Sequence, residues 1–194
     1  MVPHVLLLVN MWYFFGGGIM KIFLISGKAR SGKETTAKII QDYFKDFKTA
    51  VITEYSKYIK LYAKELLGWD GTDQSKPRKF LQDVGYLIRH KLFSEDFFVK
   101  RMKEDIEIYK LYADILIIAD VRYPNEIIDI KSSYDDVVSI NIINGYNENK
   151  QSRTISSHES ELALDNFLDF DYVVKNIDKE ELKKEIINIM EEVK

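Results

Sequence analysis

The sequence predicts a three-layer α/β domain on a five-stranded parallel sheet, and three observations carry that expectation. Short apolar runs alternate with segments whose apolar residues recur at helical spacing, as strands joined by crossover helices would. Lys21-Ile22-Phe23-Leu24-Ile25-Ser26 runs straight into a glycine-bracketed basic loop and then a helix-forming segment. Ala113-Asp114-Ile115-Leu116-Ile117-Ile118-Ala119-Asp120 is an apolar run ending in a carboxylate, the pattern of a strand covered on both faces.

Composition narrows the classes. The 194 residues, 46% hydrophobic and 30% charged, suit one domain with a real core. A formal net charge of −3 gives no general attraction to nucleic acid, so a bound polyphosphate must be held by local basic groups. Free nucleotides suit the chain better than duplexes. There is no cysteine, which excludes disulfides and thiolate zinc sites and agrees with a reducing, cytoplasmic setting. Residues 1–20 are apolar, but Asn10 and three consecutive glycines interrupt them, and they are short for a bilayer span and lack the basic start of a secretory signal. We read them as a translated upstream leader, with Met20 opening onto the first strand and no membrane partner. An N-terminal peptide starting at Met1 in natural protein would overturn that reading; a membrane anchor is the alternative.

The loop after the first strand carries the chemistry. Gly27 and Gly32 bracket Lys28, Ala29, Arg30 and Ser31, and Lys33 follows. This is the G-x-x-x-x-G-K spacing, in which backbone N–H groups curl around a phosphate chain and the next helix directs its positive end at the same anion. Lys33 is placed to reach the terminal phosphates, with Lys28 and Arg30 at the rim. Where Ser or Thr usually offers a hydroxyl to magnesium, the chain has Glu34, then Thr35. An acid beside a triphosphate calls for a divalent cation between them, so Glu34 and Thr35 are the nearest metal candidates.

The remaining elements follow in order. Residues 35–47 place Ala37, Ile40, Tyr43, Phe44 and Phe47 on one helical face; residues 50–53 form a second strand. Residues 56–67 form a helix with Tyr58, Ile59, Tyr62, Ala63, Leu66 and Leu67 inward, ending at Gly68, and residues 68–77 a loop. Residues 77–89 form a helix with a buried stripe of Phe80, Leu81, Val84, Leu87 and Ile88, in which Gly85 implies close approach by a backbone or a ligand. Arg78 and Arg89 either fork onto a phosphate or belong to a solvated basic face. Residues 97–112 form an amphipathic helix leading to the 113–120 strand.

Ligands of parallel sheets collect at the carboxyl ends of the strands, which puts Asp120 near the phosphate loop. There it would hold magnesium, directly or through water, or orient the attacking group. Arg122 leaves the same strand end, to clamp a substrate phosphate or to pair with Asp120. Pro124 and Glu126 open the next helix, and residues 136–143 make the fourth strand. Residues 144–157 are polar and poor in apolar anchors, a flap able to carry Arg153 over phosphates. Ser157 caps a short helix; His158 has no second imidazole partner, so a metal reading there is thin. Residues 171–174 form the fifth strand, ended by Asn176, and Asp178 caps a last helix that packs Ile186, Ile187, Ile189 and Met190 inward.

Missing parts narrow the function. Asp120 is followed by Val121 and Arg122 and not by the glutamate of a nucleotide-hydrolysing motor. Lys175-Asn176-Ile177-Asp178 stands where a guanine switch protein would want Asn-Lys-x-Asp. Extra arginines and a flap suit transfer to a second anionic substrate with water excluded.

Four motifs in order, residues 27–35, Leu81-Gln82-Asp83-Val84-Gly85 with Arg89, Asp120-Val121-Arg122-Tyr123-Pro124-Asn125-Glu126, and His158-Glu159-Ser160-Glu161, resemble those of the deoxynucleoside monophosphate kinases of phages and bacteria. The resemblance covers about residues 21–194. It implies ATP- and Mg2+-dependent phosphoryl transfer to a nucleoside monophosphate, usually a deoxynucleotide, in an adenylate-kinase-like fold that is often a homodimer. That family commonly has Asp at the position of Glu34. The resemblance implies that Gly27, Lys28, Ala29, Arg30, Ser31, Gly32, Lys33, Glu34 and Thr35 hold the ATP phosphates and that Lys33 follows the moving group. Magnesium would sit near Thr35, Glu34 and Asp120. Arg89, Arg122 and Gln82 would meet the acceptor, and Arg153 would close over it. Phosphomevalonate kinases share a similar loop, and a nucleotide-binding regulatory module without transfer is the alternative of a different class.

Overall fold

The computed structural model describes residues 19–145 and 159–194. Its strands are β1 (Lys21–Ser26), β2 (Ala50–Thr53), β3 (Ile115–Val121), β4 (Val137–Asn144) and β5 (Tyr172–Asn176). Helices α1 (Lys33–Phe44), α2 (Lys57–Leu67), α3 (Arg78–Leu87), α4 (Phe97–Tyr109), α5 (Pro124–Lys131), α6 (Glu159–Leu162) and α7 (Lys179–Glu192) lie between and after them. The sheet order is β2-β3-β1-β4-β5, with every neighbouring pair parallel. The α/β class and the five-stranded parallel sheet are as the sequence predicts.

Alternation along the strands creates the layers, because successive side chains point to opposite faces. Phe23, Ile25, Ile115 and Ile117 enter one core, covered by α1 and α7 through Ala37, Ile40, Phe44, Leu182, Ile186 and Met190. Ile22, Leu24, Leu116 and Ile118 enter the other, with Ile59, Phe98, Met102, Ile106, Ile127 and Ile130 from α2, α4 and α5. β1 lies between β3 and β4, and the chain leaves it first towards β2 and later towards β5. The carboxyl ends of β1 and β3 therefore flank the crevice where open α/β sheets take ligands. The β1–β3 register slips between Leu24 and Ser26, a bulge that brings Ile118 and Val121 to the same face and falls beside Asp120.

Several apolar faces differ from expectation. α1 ends at Phe44, so Phe47 lies beyond it, exposed, with its ring edge-on to Tyr43 and Phe44. In α2 only Ile59 and Ala63 are buried, while Tyr62, Leu66 and Leu67 are exposed, because the adjoining strand β2 is the sheet edge and no strand lies beyond it. α3 has no buried residue: Phe80, Leu81 and Val84 are half-buried and Leu87 is exposed. Leu81, Val84 and Ile88 of the stripe pack, half-buried, against the core formed with α2, α4 and α5, and Leu81 also lines a cavity. The helix also stops at Leu87, and Ile88–Leu92 form a π turn that carries Arg89. A Cβ at Gly85 would meet only Ile59 Cδ1, at 3.6 Å, so no backbone approaches there. Ile187 is half-buried, and Leu182 joins the core beside Ile186.

Residues 1–18 of the expected leader, residues 146–157 of the expected flap with Arg153 and Ser157, and His158 lie outside the described residues. Met20 is buried against Ile22 and its neighbours. Among the described residues no helix is long and apolar enough to cross a membrane.

Gly85→Ala should raise stability to denaturant by about 0.5–1 kcal/mol, since it removes a helix-interior glycine without a clash. Gly27→Ala should lower it by about 2 kcal/mol or more, because its Cβ would overlap the Ile142 carbonyl oxygen at positive φ. Equal unfolding midpoints for the two variants would contradict this packing.

Candidate functional site

Two glycines shape the loop joining β1 to α1. Gly27 and Gly32 have φ of +140° and +109°, where a side chain is strained. The ends of β4 and β5 also press on the loop: a Cβ on Gly32 would lie 2.5 Å from Asn176 Nδ2, which donates to Ser31 O at 2.8 Å. Arg30 is the non-glycine exception at φ +63°, at a cost of about 1–2 kcal/mol.

The loop closes around Lys33, in the first turn of α1. Its Nζ donates to Gly27 O at 2.7 Å and Lys28 O at 2.8 Å. Burial, and then repulsion from Arg122, lower its pKa to about 7. The free N–H groups and dipole of the α1 N-terminus favour an anion at this point. Among the described residues, Ser31 Oγ and Thr36 Oγ1 are buried here without a hydrogen-bond partner.

A cavity of about 620 Å³ opens in front of the loop, a size suited to a nucleotide-scale ligand. Ala29, Arg30, Gly32, Lys33, Glu34 and Thr35 line one side of it. Asp120 and Arg122 enter from the end of β3, Gln82 from α3 and Arg89 from the π turn. Gly27, Lys28 and Ser31 shape the loop from behind or outside, and Lys28 is exposed and pairs with Asp165 at 2.8 Å.

Asp120, Arg122, Arg89 and Arg78 already have partners. Asp120 accepts from Tyr55 N at 2.7 Å, Ser56 N at 3.0 Å and Ser56 Oγ at 2.6 Å, so its carboxylate anchors the start of α2. Arg122 does not pair with Asp120, whose oxygens those donors occupy; it donates to Glu161 Oε1 at 2.6 Å. Arg89 belongs to no solvated face. It is 4% exposed, donates to Glu126 Oε1 at 2.8 Å and to Glu95 O, and lies 3.7 Å from the centre of the Tyr123 ring. Arg78 is exposed and pairs with Asp73 at 2.8 Å, as a solvated face would.

Glu126 ties the arginine wall together. Its second oxygen accepts from Arg122 N at 2.7 Å and Tyr123 N at 3.1 Å. Burial pushes its carboxyl up, against the pull of Arg89 and those N–H groups. The sequence placed Glu126 at a helix start and, with Glu161, in the motifs of the family resemblance, and Asn176 at a strand end, without a partner for any of them. Their contacts with Arg89, Arg122 Nη1 and Ser31 span more than 30 residues, and no local spacing announces such contacts.

Glu34, Thr35 and Asp120 all line the cavity, which fits the donor set of a hard cation. Among the described residues, no group of three or more His, Cys, Asp or Glu side chains forms a metal cluster by itself. Ligand oxygens and water would have to complete the coordination.

No family model matches the chain, and no curated protein matches it. Similar solved structures include the APS kinase CysC of Mycobacterium tuberculosis, at 10% identity and TM-score 0.48 over 89% of this chain and 98% of that one. A sugar kinase from Janibacter sp. is 12% identical, TM-score 0.45, over 89% and 95%. TT1252 from Thermus thermophilus is 14% identical, TM-score 0.47, over 91% and 100%. What each of those proteins acts on is a property of its own site.

Lys33 supplies a pH-dependent signature. With its pKa near 7 in the free protein, a polyphosphate beside it raises that pKa, so binding at pH 8 takes up a proton. Calorimetry in buffers of different ionisation enthalpy should report uptake approaching about one proton per site, lost in Lys33→Met. Buffer-independent heats would contradict the assignment.

Proposed function

We propose that this chain transfers the γ-phosphoryl group of ATP to a nucleoside monophosphate, with deoxynucleotides as the preferred acceptors. The observation that carries this reading is a single cavity with a phosphate loop and buried lysine on one side and Arg89, Arg122 and Gln82 on another. Two anions fit such a space end to end. Phosphoryl transfer passes through a loose transition state, so positioning and charge neutralisation supply most of the catalysis.

In this reading the loop amides hold the β- and γ-phosphates, and Lys33 leaves the Gly27 and Lys28 carbonyls to follow the moving group. Arg122 and the remaining N–H donors of Arg89 meet the acceptor phosphate. The Glu126 pair and the Tyr123 ring keep Arg89 in one orientation. Gln82, on the α3 wall, is left to contact the acceptor nucleoside. Mg2+ near Thr35, Glu34 and Asp120 would neutralise the phosphate oxygens. Arg153 would add a further cation. We also propose a cytoplasmic homodimer that uses free nucleotides and neither nucleic acid nor membrane.

ADP release from ATP and magnesium, measured with each deoxynucleoside and ribonucleoside monophosphate and with phosphomevalonate, tests the reading. A deoxynucleoside monophosphate should be the best acceptor, and Lys33→Ala should lose at least about a thousandfold in kcat with an unchanged far-UV spectrum. ATP binding without ADP formation from any monophosphate would overturn transfer in favour of a regulatory module. A fully active Lys33→Ala would overturn the role of the loop.

A further inference from the structure

Three donors that a phosphate would use, the Ala29 N–H, Arg122 and Lys28, are taken by carboxylates of the protein's own chain. Glu161 Oε2 accepts from the Ala29 N–H, inside the loop, at 2.9 Å. Its Oε1 accepts from Arg122 Nη1 at 2.6 Å. The Glu161 side chain is 12% exposed, so this is no loose surface pair. Asp165 holds Lys28 at the loop rim at 2.8 Å, and Glu159 faces His90 Nε2 at 3.1 Å. Three acids on residues 159–165 thus meet the loop, the arginine beside it and the π turn.

We infer that residues 159–165 form an internal competitor for the phosphate loop, in which the Glu161 carboxylate occupies phosphate donors and must leave Ala29 and Arg122 before a polyphosphate seats. This rests on the reading of residues 27–35 as a phosphate cradle. A backbone N–H cannot donate well to two anions at once, and two anions held at hydrogen-bond distance from one donor repel strongly in a partly buried site. A carboxylate also matches the fork of an arginine as a phosphate does, so Arg122 loses little by exchanging one for the other.

Two consequences follow. The measured affinity for a phosphate ligand is the intrinsic affinity reduced by the fraction of molecules with Glu161 withdrawn. Filling the loop also releases Arg122, the cation proposed to meet the acceptor, so donor binding prepares the acceptor site. Ordinary surface ion pairs would do neither. Their loss changes binding only through net charge.

Titration calorimetry with inorganic tripolyphosphate in magnesium-free buffer separates these cases, because the probe has no base or sugar. Glu161→Gln should bind about tenfold more tightly than the parent protein. Asp165→Asn should shift in the same direction by less, since its pair with Lys28 is more exposed. Glu191→Gln, at the far end of α7, removes the same charge and should leave the affinity unchanged. Equal or weaker binding by Glu161→Gln, with Lys33-dependent binding intact in the parent, would overturn the competitor while leaving the cradle standing. An equal gain in Glu191→Gln would overturn it too, as a net-charge effect. Absence of tripolyphosphate binding in every protein, or binding unaffected by Lys33→Ala, would overturn the cradle reading itself and the inference with it.

Discussion

The site depends on a close approach of backbone to backbone. β1 ends in a turn pressed against the ends of β4 and β5, with no space for a side chain at Gly27 and with Gly32 against Asn176. That contact holds the loop in a tight turn, with the first residue of α1, Lys33, donating to the Gly27 and Lys28 carbonyls. It links the parallel sheet to the chemistry: the neighbours that leave no room for a Cβ are the strands beside β1 on the far side from β3. The sheet order is therefore part of the site. A loop of the same sequence on a different topology would lack the wall that shapes it.

Charge balance inside the cavity is the second constraint. Lys60 is paired with Glu54, Arg78 with Asp73, Arg89 with Glu126 and Arg122 with Glu161. A chain with net charge −3 thus concentrates cations in one cleft by pairing most of them with acids, although Arg122 still repels Lys33. The pairs are not equivalent. Arg89 and Glu126 are both buried, and breaking such a pair leaves an uncompensated charge, so Arg89 is a fixed part of the wall. Arg122 and Glu161 lie nearer the solvent and next to the loop, where an incoming anion can replace the acid. Among the described residues Lys33 has no acid partner within hydrogen-bond reach and rests on carbonyls, which is why burial depresses it.

Much of this was legible in the sequence, for identifiable reasons. Short apolar runs between helical segments and the unbroken run from Ile115 announced a doubly covered sheet, and glycine spacing announced the loop, because both signals are local. The Asp178 cap was legible too: its side chain accepts from Glu180 N and Glu181 N. Faces were harder. The α3 stripe does meet the core through Leu81, Val84 and Ile88, but only half-buried, and periodicity alone does not say how deeply a face is covered. Tyr62, Leu66 and Leu67 looked inward because a sequence does not say where a sheet ends. The partners of Arg122 and Asp120 were not legible at all, since Glu161 and the Tyr55–Ser56 backbone reach them only through the tertiary fold.

The central claim is that the loop between β1 and α1 is a cradle for a polyphosphate. A crystal structure with a non-hydrolysable ATP analogue and magnesium tests it most directly. The account predicts phosphate oxygens within hydrogen-bond distance of the amides of residues 29–33, with Lys33 Nζ moved from the Gly27 and Lys28 carbonyls onto the β- and γ-phosphates. A triphosphate bound elsewhere, with Lys33 still on those carbonyls, would contradict it.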